Sequence, residues 1–259
     1  MSGGNGGPAS LVGRQDLHCH TNMSDGRLAL EQVVEVAAER GVQVGIADHV
    51  SRRYGWMVST REKLERYLDA IDGAPVFRSA EFCWCDGMWS ELPDEVMARF
   101  DYRIGSNHGF RMPDGSEESP WAEELPAGWR HRPQALMDVI AANLCDMVRT
   151  MPIEIAAHST LLPPALTRLE GDPRAWWTDD REDRYVEALA ESGVALEISN
   201  RYRLPHDRLL LKARGAGVRF SLGSDGHAAH QVAALGWAAE TACRVGVTDR
   251  ELFVPERKG

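Results

Sequence analysis

The stretch Val12 to His49, VGRQDLHCHTNMSDGRLALEQVVEVAAERGVQVGIADH, decides the fold class. A short apolar run, Val12 to Leu17, leads directly into His18 and His20. Leu30, Val33, Val34, Ala37 and Ala38 then recur at helical spacing, and Gly41 stands where a helix stop is expected. A second apolar run, Val42 to Ala47, leads into Asp48 and His49. Strand, helix and strand in this order predict a βα unit and a largely parallel sheet, with chemically able side chains just past the strand ends.

Outward from this stretch the pattern repeats. Further candidate strands run from Val76 to Ala80, Tyr102 to Gly105, Ile153 to Ala157, Val194 to Ile198 and Val218 to Leu222, seven in all. Two linking segments, Gly109 to Pro133 and Pro163 to Asp180, are too irregular for simple crossovers. Each is a candidate lid or rim over a site, or surface decoration packed by its own aromatics.

A chain of 259 residues, 43% hydrophobic and 26% charged, is long enough for one large α/β domain with a substantial core. Residues 1–10, MSGGNGGPAS, read as a flexible tail and residues 11–259 as a single domain. No apolar run approaches the roughly 18 residues that span a bilayer, and the opening residues lack the apolar stretch of a secretory signal. Cys19, Cys83, Cys85, Cys145 and Cys243 form no Cys-x-x-Cys motif, which argues against a disulfide framework or zinc ribbon and suits a reducing cytoplasm. A formal net charge of -10 disfavours loose binding to a nucleic-acid backbone, although a local basic groove is compatible with it.

His18 and His20, Asp48 and His49, Glu81, His108, His158, and Asp225 with His227 all fall at or just past candidate strand ends. Strand six lacks a histidine and ends with Glu197, Asn200 and Arg201. In a parallel barrel the carboxyl ends of the strands share one face, where residues distant in sequence meet. On a strand, residues i and i+2 share a side, so His18 and His20 can bind one cation together, with Asp16 placed to orient a ligand. Asp25 adds a carboxylate beyond the first strand and is equally a candidate N-cap for the next helix. Each signal is weak alone; their joint placement points to a metal site.

These residues resemble the polymerase and histidinol phosphatase (PHP) family of metal-dependent phosphoesterases, over nearly the whole chain. The motif regions are Asp16-Leu17-His18-Cys19-His20 with Ser24-Asp25-Gly26, Ala47-Asp48-His49, Ala157-His158, and Ser224-Asp225-Gly226-His227, with Glu81 and His108 between. The resemblance implies a distorted (β/α)7 TIM-like barrel with two or three divalent ions. One ion would be held by His18, His20, Glu81 and Asp225; a second by Glu81, His108 and His158; a third by Asp25, His49 and His227. Zinc, manganese and iron all suit imidazole and carboxylate ligands. Cys83 and Cys85 are either further ligands or simply buried.

The chemistry expected is hydrolysis of a phosphate ester, with a hydroxide bridging the Glu81-linked ions as nucleophile and Glu81, Asp225 and His227 at the reacting centre. Arg201 and Arg203, past strand six, are the leading candidates for a phosphate clamp, with Arg52 and Arg53 as rivals. The leaving-group acid is His206, His230 or a metal-bound water. The expected substrate is a small phosphomonoester, a metabolite or a nucleotide. The alternative is a phosphodiesterase or exonuclease on short oligonucleotides, with Trp56, Trp84, Trp89 or Trp121 stacking on bases. A third reading is a metal-binding domain without catalysis that acts by interaction. No membrane and no obligate protein partner are expected.

Overall fold

The computed structural model describes residues 10–258 except Tyr54 and Trp56. Most of the predicted N-terminal tail and the stacking role considered for Trp56 therefore lie outside the described residues.

The strands are β1 (Gln15–Cys19), β2 (Gln43–Ile46), β3 (His49–Val50), β4 (Phe77–Arg78), β5 (Glu81–Cys83), β6 (Ile104–Ser106), β7 (Phe110–Arg111), β8 (Glu117–Glu118), β9 (Ile155–Ala156), β10 (Ala195–Ser199) and β11 (Phe220–Gly223). Between them lie helices α1 (Leu30–Glu39), α2 (Arg61–Ile71), α3 (Asp94–Met97), α4 (Pro133–Thr150), α5 (Pro164–Thr167), α6 (Pro173–Trp176), α7 (Asp179–Ser192), α8 (Asp207–Gly215) and α9 (Gly236–Arg244). The seven apolar runs of the sequence all appear as strands, displaced by one to three residues.

Two parallel sheets carry the fold, β1-β2-β4 and β11-β10-β9-β6-β5-β3, and a small antiparallel pair joins β7 to β8. The two parallel sheets are continuous with each other in sequence. β2 runs into β3 and β4 into β5, and across both interruptions the ladder persists through Ser79 N–H to Ile46 O (3.0 Å) and Glu81 N–H to Asp48 O (3.1 Å). On the other side β1 reaches the end of β11: a parallel bridge joins Cys19 to Gly226, and His20 N–H donates to Gly226 O at 3.0 Å.

Two apolar layers follow from the strand alternation. One cluster gathers Leu17, Phe77, Tyr102, Ile104, Ile155, Ala157 and Ala195 with Phe253 from the C-terminal segment. The larger cluster packs the other strand faces against the helices, with Val33 and Ala37 of α1, Leu64 and Leu68 of α2, and Leu144 of α4 against Tyr185 and Leu189 of α7. Each fully buried Leu or Val contributes about 1.5–3 kcal/mol relative to exposure, so this layer supplies most of the drive that sets the helices on the strands.

Local chemistry fixes the helix ends. Thr60 caps α2 by accepting from Lys63 N–H at 3.2 Å. Gln32 reaches back to the Ala29 N–H (2.9 Å) at the start of α1, and Gly41 turns the chain beyond its end with φ of 65°. Asp25 therefore does not cap α1, which begins four residues later than that role requires. No helix among the described residues is long and apolar enough to cross a membrane.

The two irregular segments take different roles. The first forms the β7–β8 pair and carries Trp121 to the mouth of a cavity. The second folds as α5 and α6, with Trp176 and Trp177 buried at 3% and 0% exposure, and packs as core.

Candidate metal centre

Strand β1 ends in His18 and Cys19 and is followed directly by His20, all three buried. The break between β2 and β3 presents Asp48 and His49, β5 opens on Glu81, and the turns after β6 and β9 present His108 and His158. The loop after β11 supplies Asp225 and His227, and the loop after β1 supplies Asp25. His158 and Asp225 sit in the left-handed region, at φ of 30° and 49°. Non-glycine residues adopt this conformation at a cost, and such positions concentrate where side chains must be aimed.

Glu81 is the hub. Its Oε2 lies 2.8 Å from His49 Nδ1, 3.4 Å from His18 Nε2 and 3.6 Å from His20 Nε2. Its Oε1 lies 2.9 Å from His158 Nε2 and 3.2 Å from His108 Nε2, and it also accepts from Ser106 Oγ. One buried carboxylate thus divides five imidazoles between its two oxygens. Beside it, Asp25 lies 3.1 Å from His227 Nε2 and 3.5 Å from His49 Nε2, and Asp225 Oδ1 lies 3.3 Å from His20 Nε2.

Four groups of side chains have donor atoms close enough to share an ion: His20, Asp25, His49 and His227; His18, His20 and Asp225; His18, Glu81 and His158; and His49, Glu81 and His108. Together they contain every metal-ligating residue singled out in the sequence. Their grouping overlaps the partition that the family resemblance implied, and Glu81 Oε1 is near both His108 and His158. His108 falls with His49 and His158 with His18, and His20 also joins the Asp25 set. None of these groups includes a cysteine. Cys85 is buried and donates to Gly109 O, and Cys83 is buried beside His108.

The electrostatics show why the cluster suits cations. Burial opposes ionisation of Glu81, yet His49, His108 and His18 hold its pKa well below the usual carboxylate range. Burial likewise opposes charge on His49 and His108, but Glu81 overrides it and raises them to about 10 and about 9. His20 goes the other way, to about 3, through burial and the neighbouring His49. His18 Nε2, both ring nitrogens of His20 and Glu81 Oε2 are buried without a hydrogen bond of good geometry. Buried polar atoms left so are costly, and here they converge on one another. Convergent imidazole and carboxylate donors fit divalent metal ions on this observation.

A surrounding layer holds the donors. Glu197 of β10 accepts from His18 Nδ1–H through Oε1 and from His158 N–H through Oε2, each at 2.6 Å. Gly223 makes room for it, since a methyl group there would collide with Glu197 Oε1 and His18 Cβ. Asp48 accepts from Thr21 N–H (2.8 Å), Thr21 Oγ1 (2.6 Å) and Ser24 Oγ, fixing the loop that carries Asp25; burial raises its pKa to about 6 against these hydrogen bonds. Asp16 does not orient an imidazole ring. It accepts from the backbone amides of His18 (3.2 Å), Ser224 (2.8 Å) and Ala233 (2.9 Å), tying β1 to the loop after β11.

A cavity of about 300 Å³ opens over this floor, lined by Asp25, His49, His108, His158, Asp225 and His227 together with Met57, Trp121, Arg201 and Tyr202. Arg201 lies 3.3 Å from Asp225 Oδ1 and 2.7 Å from His227 Nδ1. Arg203 is exposed and does not line the cavity. Arg52 and Arg53 pair with Glu91 and Glu117, at 2.6 Å and 2.9 Å. His206 is held by the buried Glu182 at 2.6 Å, and His230 is exposed; neither lines the cavity. Trp84 is buried against Trp89, with Arg111 over its ring at 4.4 Å, so both indoles serve packing. Sequence reasoning missed Tyr202, Met57 and the role of Glu197; only the position of Glu197 at the end of strand six hinted at it.

No family model matches the sequence. The chain is 24% identical over 223 residues to the DNA polymerase/3'-5' exonuclease PolX of Bacillus subtilis, covering 82% of this chain and 34% of that protein. It thus spans about a third of the length of this relative. Its structure superposes on the crystal structure of histidinol phosphate phosphatase from Lactococcus lactis, complexed with zinc, L-histidinol and phosphate. The TM-score is 0.62 at 16% identity, covering 93% of this chain and 99% of the other. The fold is therefore shared with that phosphatase, and both likenesses bear out the resemblance to the PHP family read from the motifs.

Proposed function

We propose that this chain is a metal-dependent phosphoesterase that hydrolyses a phosphomonoester of a small metabolite or nucleotide. One observation carries the reading: Glu81 shares its two oxygens among five buried imidazoles at the floor of a cavity edged by Arg201. His18, His20, Asp25, His49, Glu81, His108, His158, Asp225 and His227 would hold two or three divalent ions, with zinc, manganese and iron all compatible. Such ions, when bound, neutralise phosphoryl oxygens and lower the pKa of water toward about 7.

The remaining roles belong to the chain itself. Glu81 gathers five imidazoles from four strand ends about one point, and Asp225 and His227 stand between that point and Arg201. Arg201 brings a permanent positive charge, in a planar fork that matches phosphate, to the cavity wall. Tyr202, raised to about 12 by burial and by Asp225, keeps its proton and offers a neutral hydroxyl donor. The buried floor excludes bulk water, which strengthens every charge–phosphate interaction within it.

We read the strands as a distorted (β/α)7 barrel and residues 11–259 as one domain. The hydrogen bonds that carry the ladder across the β2–β3 and β4–β5 interruptions, and the Cys19–Gly226 bridge, support a seven-membered ring of parallel strands. The five free thiols, four of them buried, suit a reducing cytoplasm.

The likeness to PolX favours a second reading, a phosphodiesterase or exonuclease on short oligonucleotides. The net charge of -10 weighs against it. Phosphate release from p-nitrophenyl phosphate and from bis-p-nitrophenyl phosphate, with metals loaded, separates the two. Preference for the monoester is expected, and preference for the diester would reverse the assignment. Turnover of neither would favour the non-catalytic interaction domain.

A further inference from the structure

Among the described residues, Trp121 is the one large aromatic side chain left exposed, at 46%. It is not a loose surface residue. Its N–H donates to Ser119 Oγ at 3.1 Å, and the next residue is pinned to α5 by Ala165 N–H to Ala122 O at 3.0 Å. The indole lies over the His108 ring, with centroids 5.6 Å apart and planes 29° apart, and it lines the cavity.

Tyr202 completes the same wall. It meets the His158 ring edge-on at 5.3 Å, and Arg201 lies over its ring at 5.5 Å. Met57 is a further apolar lining residue. The cavity therefore has two chemistries: a floor of imidazoles, carboxylates and a guanidinium, and a wall of indole, phenol and thioether. A phosphate ester has a matching polarity, with a charged phosphoryl end and an alcohol end.

Resting on the phosphoesterase reading above, we infer that Trp121 and Tyr202 select esters whose alcohol carries a planar unsaturated ring, which stacks on the wall while the phosphoryl group faces the floor. A flat π face gains by stacking on indole whatever its hydrogen-bonding pattern, whereas a polyhydroxylated chain placed there loses hydration without replacement. A nucleobase and an imidazole both satisfy this requirement.

The test compares kcat/KM of the metal-loaded protein for adenosine 5'-monophosphate, histidinol phosphate and glycerol 2-phosphate. At least one ring-bearing ester is expected to exceed the ring-free one tenfold or more, and which one does so identifies the ring. Trp121→Ala should lower that ratio about tenfold and Trp121→Phe should largely restore it. A native ratio near unity, or one unchanged by Trp121→Ala, would overturn the inference. Binding of adenosine and imidazole, each against ribose, is measured in parallel by calorimetry. If no ester is turned over, the hydrolase reading fails; the stacking wall then stands if Trp121→Ala weakens binding of either ring compound, and falls if both bind no better than ribose.

Discussion

Glu197 Oε1 lies 2.6 Å from His18 Nδ1, and its other oxygen accepts from the backbone of His158 at the same distance. A single carboxylate on β10 thereby orients the His18 ring and anchors the backbone of His158, whose two imidazoles approach opposite oxygens of Glu81. A ring held through Nδ1 presents Nε2 in one fixed direction, and partners of this kind typically govern metal affinity by about 10–100-fold. Glu197→Gln is expected to weaken metal binding by about tenfold or more, measured by competition with a chromogenic chelator. Native affinity in this variant would show that His18 needs no such support.

Gly223 tests the same contact from the other side. A side chain there meets Glu197 Oε1 and His18 Cβ, neither of which has room to move in a buried site. Gly223→Ala should destabilise the fold by about 1–3 kcal/mol, seen as a lower Tm, and should reduce metal content in the fraction that remains folded. A variant with native Tm and native metal content would mean that the strand end can relax without cost.

Protons and metal ions compete for the floor. In the metal-free protein Glu81 raises His49 and His108 to about 10 and about 9, against the effect of burial. Both exceed the ordinary histidine value of 6.5, so the stabilisation they provide is complete below that pH and is lost as pH rises through about 9 to 10. Metal ligation needs the neutral ring, so loading near neutrality must release protons, and affinity must climb as pH rises toward that range. Titrating zinc into metal-free protein in weak buffer should acidify the solution. Binding without proton release would contradict the charge state assigned to these rings.

Arg201 touches both Asp225 and His227 and reaches the cavity, whereas Arg203 does not line it. Arg201→Ala should raise KM for a phosphomonoester by about tenfold or more, and Arg201→Lys should recover only part of this because a point charge cannot match the planar fork. Steady-state kinetics on one substrate across the three proteins decides it. Unchanged constants in Arg201→Ala would remove the phosphate contact.

Much of this was legible in the sequence because the site is built at strand ends. Apolar runs mark the strands, and the first polar residues after each run, such as His20, His49 and Asp225, must emerge on a common face once the strands are parallel. What escaped depends on neighbours that spacing does not encode. Glu197 finds His18 only because β10 lies beside β11, whose end in turn meets β1. Asp16 sits two residues from His18, yet three backbone amides claim it first. Trp121 lies in an irregular segment with no periodicity, so nothing in its spacing announces that it reaches His108. Which donor atoms meet depends on side-chain rotamers: Glu81 Oε1 takes His108 and His158, whereas Oε2 takes His18, His20 and His49.

In the proposed reading, Glu81 organises several metal ions into one hydrolytic centre. Its most direct test is elemental analysis of native protein and Glu81→Gln, each reconstituted with zinc or manganese and assayed for phosphate release from a monoester. Two or three ions per native chain, with metal content and activity lost together in the variant, is the predicted result. A native chain that takes up no ion, or a variant that keeps both its metals and its turnover, would rule out this role for Glu81.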